Sequence, residues 1–367
     1  MIPPSARLPT AVAAVATLCA GCAGESGAAE PANRLTPLPS APAFSALDYR
    51  AGDLFAMDAQ GRLLLSDADA AQVIFYSRDG TDETRLGRKG AGPGEHILLH
   101  GGAVGADGSL VVTDARLMRL SHYDAGHRLV STHPIPGMPL QMLNWDGKQV
   151  LLIWIEGMNP VVGRIDVATG KAEALYRPYE RAPELAAKAP ESAAGTGTQP
   201  WVAAAFAQDG RVLIAKPEAY RIFAFDAATG TVRQSFGRTD VERERPSERE
   251  AAESEATLKR IVEKAGIPPT PELLKEARDR PKPFFLMHSF AVESTGRLWI
   301  ATQRGGYGET QLDLFTADGT FLRTLTVRDR VRRIAVSLPY LAVLVERQSG
   351  ALEGAEGVDV YRVDELP

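Results

Sequence analysis

From Asp53 onward the chain is written in short apolar runs separated by glycine turns. Residues 54–58 (LFAMD) lead into a Gln60-Gly61 turn, followed by residues 62–67 (RLLLSD), residues 73–76 (VIFY) and a turn at Asp79-Gly80. The pattern then repeats as residues 103–108 (AVGADG), 109–114 (SLVVTD), 120–123 (LSHY) and 124–126 (DAG). Gly61 and Gly108 are 47 residues apart, and so are Asp67 and Asp114. A third copy turns at Asp146-Gly147 and Thr169-Gly170, a fourth at Asp209-Gly210 and Thr229-Gly230, and a fifth at Thr295-Gly296 and Asp318-Gly319. A worn sixth copy uses residues 331–337, 340–346 and 358–362.

Asp-Gly and Thr-Gly between β-branched or aromatic runs mark hairpins, because glycine accepts the positive φ of a tight turn. Four such runs in a unit of about 40–50 residues are the signature of a propeller blade. No 3.6-residue apolar period occurs inside the unit, which excludes a helical solenoid. The expectation is an all-β, six-bladed β-propeller of four-stranded antiparallel blades over residues 42–367. The sixth copy ends one run short, and residues 43–47 are expected to supply its outer strand and so close the ring.

Strand order also sorts the loops. In an up-and-down blade the first-to-second and third-to-fourth turns share one face, and the glycine turns all fall there. The second-to-third turns and blade links share the other face, which receives every long loop: 87–101, 177–200, 238–283, 303–310 and 347–357. Elaborated loops on a rigid scaffold favour binding, so this face is the expected ligand surface. Between blades 4 and 5, residues 241–280 read as a helical insertion. Ser247 with Glu250 forms a capping box. Leu258, Ile261, Val262 and Ala265 give one helical stripe, and Leu273, Leu274 and Ala277 another, with Gly266 and Thr270-Pro271 between them. It reads either as a solvated hairpin on the rim or as a lid over the channel.

The first 22 residues differ from the rest. Arg7 is their only charge, and residues 11–20 are almost wholly apolar but too short to span a bilayer. This is the pattern of a signal peptide, residues 1–21. The run ends Leu18-Cys19-Ala20-Gly21-Cys22 and resembles the bacterial lipobox, with Cys19 where that motif carries Leu. The resemblance implies lipidation of Cys22, export and a membrane anchor, whereas a plain leader would be cut near Ala20 or Ala23. Residues 22–41, rich in Ala, Gly and Pro, read as a flexible tether. Both cysteines lie in the leader, so thiol chemistry and disulfides are not expected in the body. The formal charge of -5 argues against a nucleic-acid partner.

Residues 86–95 (LGRKGAGPGE) and 290–299 (FAVESTGRLW) resemble the bacterial lipoproteins described as six-bladed β-propeller proteins, relatives of NHL-repeat propellers. The resemblance implies fold and export over roughly residues 53–364, and it implies no activity.

Candidate chemistry is sparse. Gly90, Gly92 and Gly94 are followed by neither Lys-Ser/Thr nor a helix, so they read as a blade link rather than a phosphate loop. Trp154 and Trp299 read as inter-blade core. No His-Glu-x-x-His, Gly-x-Ser-x-Gly or sialidase Asp box occurs. The body offers only Asn144 and Asn159 toward a lactonase-type metal site, and the six histidines show no recurring ligand spacing. No cofactor or metal is therefore expected. Arg116, Lys216, Arg304, Tyr307 and Arg347 fall in or beside second-to-third loops and are the candidate ligand-binding residues. The expected function is a monomeric, lipid-anchored binding or scaffold module that takes a small molecule, glycan or protein on its loop face. The alternative is a metal-dependent propeller hydrolase or lyase, lactonase-like, with its site at the channel mouth.

Overall fold

The computed structural model describes residues 33–157, 159–186, 202–264, 266–306 and 308–363. The leader and Cys22 lie outside them, as do Trp201, Ala265 and Tyr307. Six antiparallel sheets follow one another along the chain, and the first strands of neighbouring sheets pack side by side in sequence order, closing a six-bladed ring. Those inner strands are Ala51–Met57, Leu99–Val104, Met138–Trp145, Ala203–Ala207, Phe285–Val292 and Arg330–Ser337. The second and third strands of each blade are almost wholly buried, and apolar clusters fill the spaces between adjacent blades. Trp154 and Trp299 are buried there, their indole N–H groups donating to Glu156 and Glu293 at 2.8 and 3.0 Å.

The loops are sorted as expected. Tight turns on one face are stiffened by acidic side chains that accept backbone N–H groups: Asp58 from Gln60 and Arg62, Asp146 from Lys148 and Gln149, and Asp226 from Ala228 and Thr229. The insertion is a pair of helices, Glu248–Lys264 and Pro271–Asp279. Its capping box is formed, with the Ser247 N–H donating to Glu250 at 2.8 Å and the Glu250 N–H to the Ser247 hydroxyl at 3.3 Å. Arg249 pairs with Glu353 in the blade 6 loop, and Glu244 accepts from the Gly305 N–H of the blade 5 loop at 3.2 Å. The hairpin is thus braced against the second-to-third loops of blades 5 and 6.

Ring closure departs from the expected strand. Blade 6 has three strands, Arg330–Ser337, Tyr340–Glu346 and Glu356–Arg362. Residues 33–47 take an irregular course over two blades: Leu35 N–H donates to Thr326 O on the outer strand of blade 5, and Leu38 N–H to Val360 O and Leu47 N–H to Glu356 O on the outer edge of blade 6. Pro37, Pro39 and Pro42 have no N–H to give a ladder, so the segment makes isolated bonds and then a helical turn, Pro42–Ser45. That turn inserts Phe44, fully buried, between blades 6 and 1 and edge-on to Tyr76 at 5.2 Å. Contact with the propeller is thus already made by Asn33, the first described residue, inside the stretch that reads as tether, because Leu35 and Leu38 find apolar clusters to pack against.

Candidate functional site

An inner strand starts at the long-loop face and ends at the tight-turn face, so its residue numbers measure depth in the channel. Five of the six inner strands slip register near one level: between Ala51 and Phe55, Leu99 and Gly101, Pro139 and Gln141, Phe285 and Phe290, and Val331 and Arg333. Blade 4 alone pairs regularly through Ala204. A bulge breaks the in–out alternation of a strand and re-aims a side chain, which is why bulges collect at sites. Here each bulge coincides with or adjoins a polar residue: Asp53, His100, Gln141, His288 and Arg333.

All but Gln141 of these side chains meet. Arg333 pairs with the Asp53 carboxylate, and its Nε donates to the Asp53 carbonyl at 3.2 Å. The other Asp53 oxygen lies 3.7 Å from His100 Nε2. The His100 and His288 rings are 5.5 Å apart between centroids. Gln141 Nε2 donates to the Ala204 carbonyl at 2.5 Å. His288 holds φ at +60°, an uncommon conformation for a residue with a side chain and one kept where surroundings over-determine it. Burial pushes both imidazoles below the ordinary histidine value, and the Arg333 charge acts in the same direction on each. Asp53 opposes the shift at His100. Both rings are therefore neutral at physiological pH.

This tier floors a well of about 330 Å³. The lining begins at Asp53, His100, Gln141 and His288 and runs to Met57, Val104, Trp145 and Val292, the last residues of their strands at the tight-turn face. No described residue of the helical insertion lines it. Among these residues His288 Nε2 and Gln141 Oε1 are buried and make no hydrogen bond to protein, whereas the Trp145 indole packs edge-on to His122 in the apolar cluster between blades 2 and 3. Among the described residues, no three His, Cys, Asp or Glu side chains converge as a metal would need.

The residues expected from sequence lie elsewhere. Arg304 donates to Asp313 at 2.5 Å within blade 5, and Arg347 to Asp359 and Asp329 and to the carbonyls of Phe44 and Ser45, so both guanidinium groups are engaged in internal bonding. Lys216 sits 5.1 Å over the Tyr179 ring, and burial lowers the pKa of its ammonium. Arg116 is exposed, its backbone N–H held by Asp114 at 2.9 Å. None of these four lines the well, and Tyr307 lies outside the described residues. His100, which falls in the stretch 87–101 read as a blade link, and His288, for which no ligand spacing recurs, both line the well. The structure places both in the first strand of their blades, where the strand for His100 begins at Leu99, inside the stretch read as a link.

No family model and no curated protein matches this sequence. The fold is shared with solved propellers. A member of the DUF4221 family from Bacteroides vulgatus superposes with a TM-score of 0.56 at 8% identity, over 90% of this chain and 98% of that one. A luciferin-regenerating enzyme gives 0.51 at 12% identity, over 90% and 96%. A gluconolactonase from Xanthomonas campestris gives 0.50 at 14% identity, over 91% and 99%.

Proposed function

We propose that this is an exported, lipid-anchored binding propeller whose small-molecule seat is the well in its channel, leaving the long-loop face for larger partners. The observation that carries the reading is that polar residues of four blades, Asp53, His100, Gln141 and His288, at or beside strand bulges, line one concavity. A volume near the lower end of the roughly 300–1,000 Å³ typical of ligand sites suits a small molecule. Export and the anchor rest on the leader and the lipobox-like Cys22.

A thermal-shift screen of small polar compounds tests the seat, run on the natural protein and on two variants that fill the well wall, Ala56→Phe and Val336→Phe. The reading expects a stabilising compound whose effect disappears in whichever variant retains the natural melting transition. A compound that stabilises the filled variants equally binds elsewhere, and the well is then not the seat.

A further inference from the structure

The helical insertion ends in a tip that its own fold does not bury. Helix Glu248–Lys264 stops in a tight C-cap, with Gly266 at φ +73°. The Gly266 N–H donates to the Glu263 carbonyl at 3.0 Å and the Ile267 N–H to the Val262 carbonyl at 2.8 Å. Thr270 then starts Pro271–Asp279, its hydroxyl accepting from the Leu273 N–H at 3.2 Å. The turn is therefore held by caps on both sides. Val262 is the side chain this helix end buries, while Ile261 stays 53% and Ile267 44% exposed, with Pro268 exposed beside them. Charge along the hairpin is divided. Near its base the arginines are paired: Arg249 with Glu253 and Glu353, Arg278 with Glu248 and Glu255, and Arg280 with Glu276. At the tip Lys259, Arg260 and Lys264 are exposed and, among the described residues, form no ion pair. The helix dipole favours cations near a C-terminus, which accounts for their sign but not for the isoleucines exposed among them.

Exposed aliphatic side chains ringed by cations suit a phospholipid surface, where the apolar groups sink at the headgroup boundary and the cations meet phosphates. The course of the chain brings such a surface within reach. Arg34 pairs with Glu309 at 3.0 Å, and Glu244, just before the hairpin, accepts from the Gly305 N–H at 3.2 Å. Both partners belong to the second-to-third loop of blade 5, so the N-terminal segment and the hairpin base attach to one loop. Cys22 stands eleven positions before Asn33. A lipid on Cys22 keeps Asn33 within about 40 Å of the bilayer, since eleven extended residues reach no further. The 17 residues of the first helix are themselves about 25 Å long. We propose that the tip of the hairpin docks on an anionic phospholipid surface, with Ile261 and Ile267 entering the headgroup layer and Lys259, Arg260 and Lys264 on its phosphates. That this surface is the one holding the chain rests on the lipoprotein reading; the affinity of the tip for lipid does not.

The test separates tip from anchor by using the full chain with Cys22→Ser, which has no site for the lipid. Flotation at low salt compares vesicles of phosphatidylcholine mixed with phosphatidylglycerol against vesicles of phosphatidylcholine alone. Partitioning onto the mixed vesicles should be at least about 10-fold stronger, because each basic residue near an anionic surface contributes about 5-fold. Raised salt should release the protein from them. Lys259→Gln combined with Lys264→Gln should weaken partitioning about 10-fold or more, and Ile261→Gln combined with Ile267→Ser by a similar factor. Both pairs replace exposed side chains, so urea midpoints should stay at the natural value. Equal partitioning onto the two kinds of vesicle, indifference to both paired variants, or no partitioning at all would overturn docking by the tip. A Cys22→Ser chain that self-associates and becomes monomeric with Ile261→Gln and Ile267→Ser would assign the tip to a second copy and overturn it too. Flotation as expected from a natural protein that takes up no labelled fatty acid would support the tip and remove the anchor alone.

Discussion

His100 and His288 come from blades 2 and 5, three places apart in a ring of six, yet their rings touch at a 5.5 Å centroid separation. That contact divides the channel in two. On the long-loop side lie the loops and the helical brace, and on the tight-turn side lies the well. A propeller whose channel ran open would present one continuous tube, whereas here a polar tier gives the tube a floor.

Histidine burial makes stability fall with acid. His96 is fully buried against Tyr123, and burial pushes its pKa down to about 4, while His100 and His288 shift in the same direction. A group whose folded pKa lies below its unfolded value near 6.5 takes up its proton first in the unfolded chain. Stability is therefore intact above about pH 6.5 and drops by about 1.4 kcal/mol per pH unit for each such imidazole as pH falls toward the folded value. Urea midpoints at pH 7.5, 6.5 and 5.5 should decline, and His96→Gln should flatten the slope. A midpoint constant or rising from pH 6.5 to 5.5 would show these rings already charged in the fold.

Most of the ring was legible in the sequence because each blade repeats a local device: an acidic residue and a glycine closing a tight turn between apolar runs. Asp58, Asp146 and Asp226 do in the structure what their positions suggest. The floor was not legible because its members are single residues on different strands, aimed by bulges that carry no sequence mark. Register depends on the partner strand, so Asp53 and His288 look like ordinary members of alternating runs. Arginine misled for the opposite reason. A loop arginine looks available, but Arg304 and Arg347 pair with Asp313 and Asp359, each on the strand that follows the loop in the same blade.

The strongest of those carboxylates is Asp313. Its two oxygens accept from Tyr220 at 2.5 Å, Arg304 at 2.5 Å, Thr324 at 2.6 Å and Arg238 at 3.2 Å, joining blade 4, the link and blade 5 in the interior. Asp313→Asn would leave the nearly buried Arg304 without its counter-charge and Arg238 with only the exposed Asp240. Breaking one partner of a buried pair costs about 3–5 kcal/mol, so urea denaturation should register a loss of that order. Tyr220→Phe removes one bond and should cost about 1–3 kcal/mol. Equal effects from the two variants would mean that the hydrogen bond, not the charge, holds the joint.

The anchor has a direct chemical assay. If Cys22 carries the lipid, cells given labelled fatty acid should label the natural protein and fail to label Cys22→Ser, which should also leave the membrane fraction. Label that persists in Cys22→Ser would assign acylation elsewhere and sink the lipoprotein reading.

Closure of the ring turns on Gly357. A Cβ at this position would stand 2.8 Å from the carbonyl oxygens of both Phe44 and Ser45, and 2.7 Å from the Arg347 side chain. Only glycine lets residues 42–45 lie against the edge of blade 6 while Arg347 donates to the same two carbonyls. Gly357→Ala should therefore lift the N-terminal segment from that edge, expelling Phe44 from between blades 6 and 1. Overpacking of this kind costs about 1–3 kcal/mol, and removing the ring itself by Phe44→Ala should cost about 3–5 kcal/mol. Because the segment covers an open sheet edge, its release should also raise proteolytic cleavage within residues 33–47 and promote association through the bared strand, read by limited digestion and light scattering. If Gly357→Ala unfolds at the natural urea midpoint with residues 33–47 still protected, the ring closes by other contacts, and the Phe44 plug is incidental.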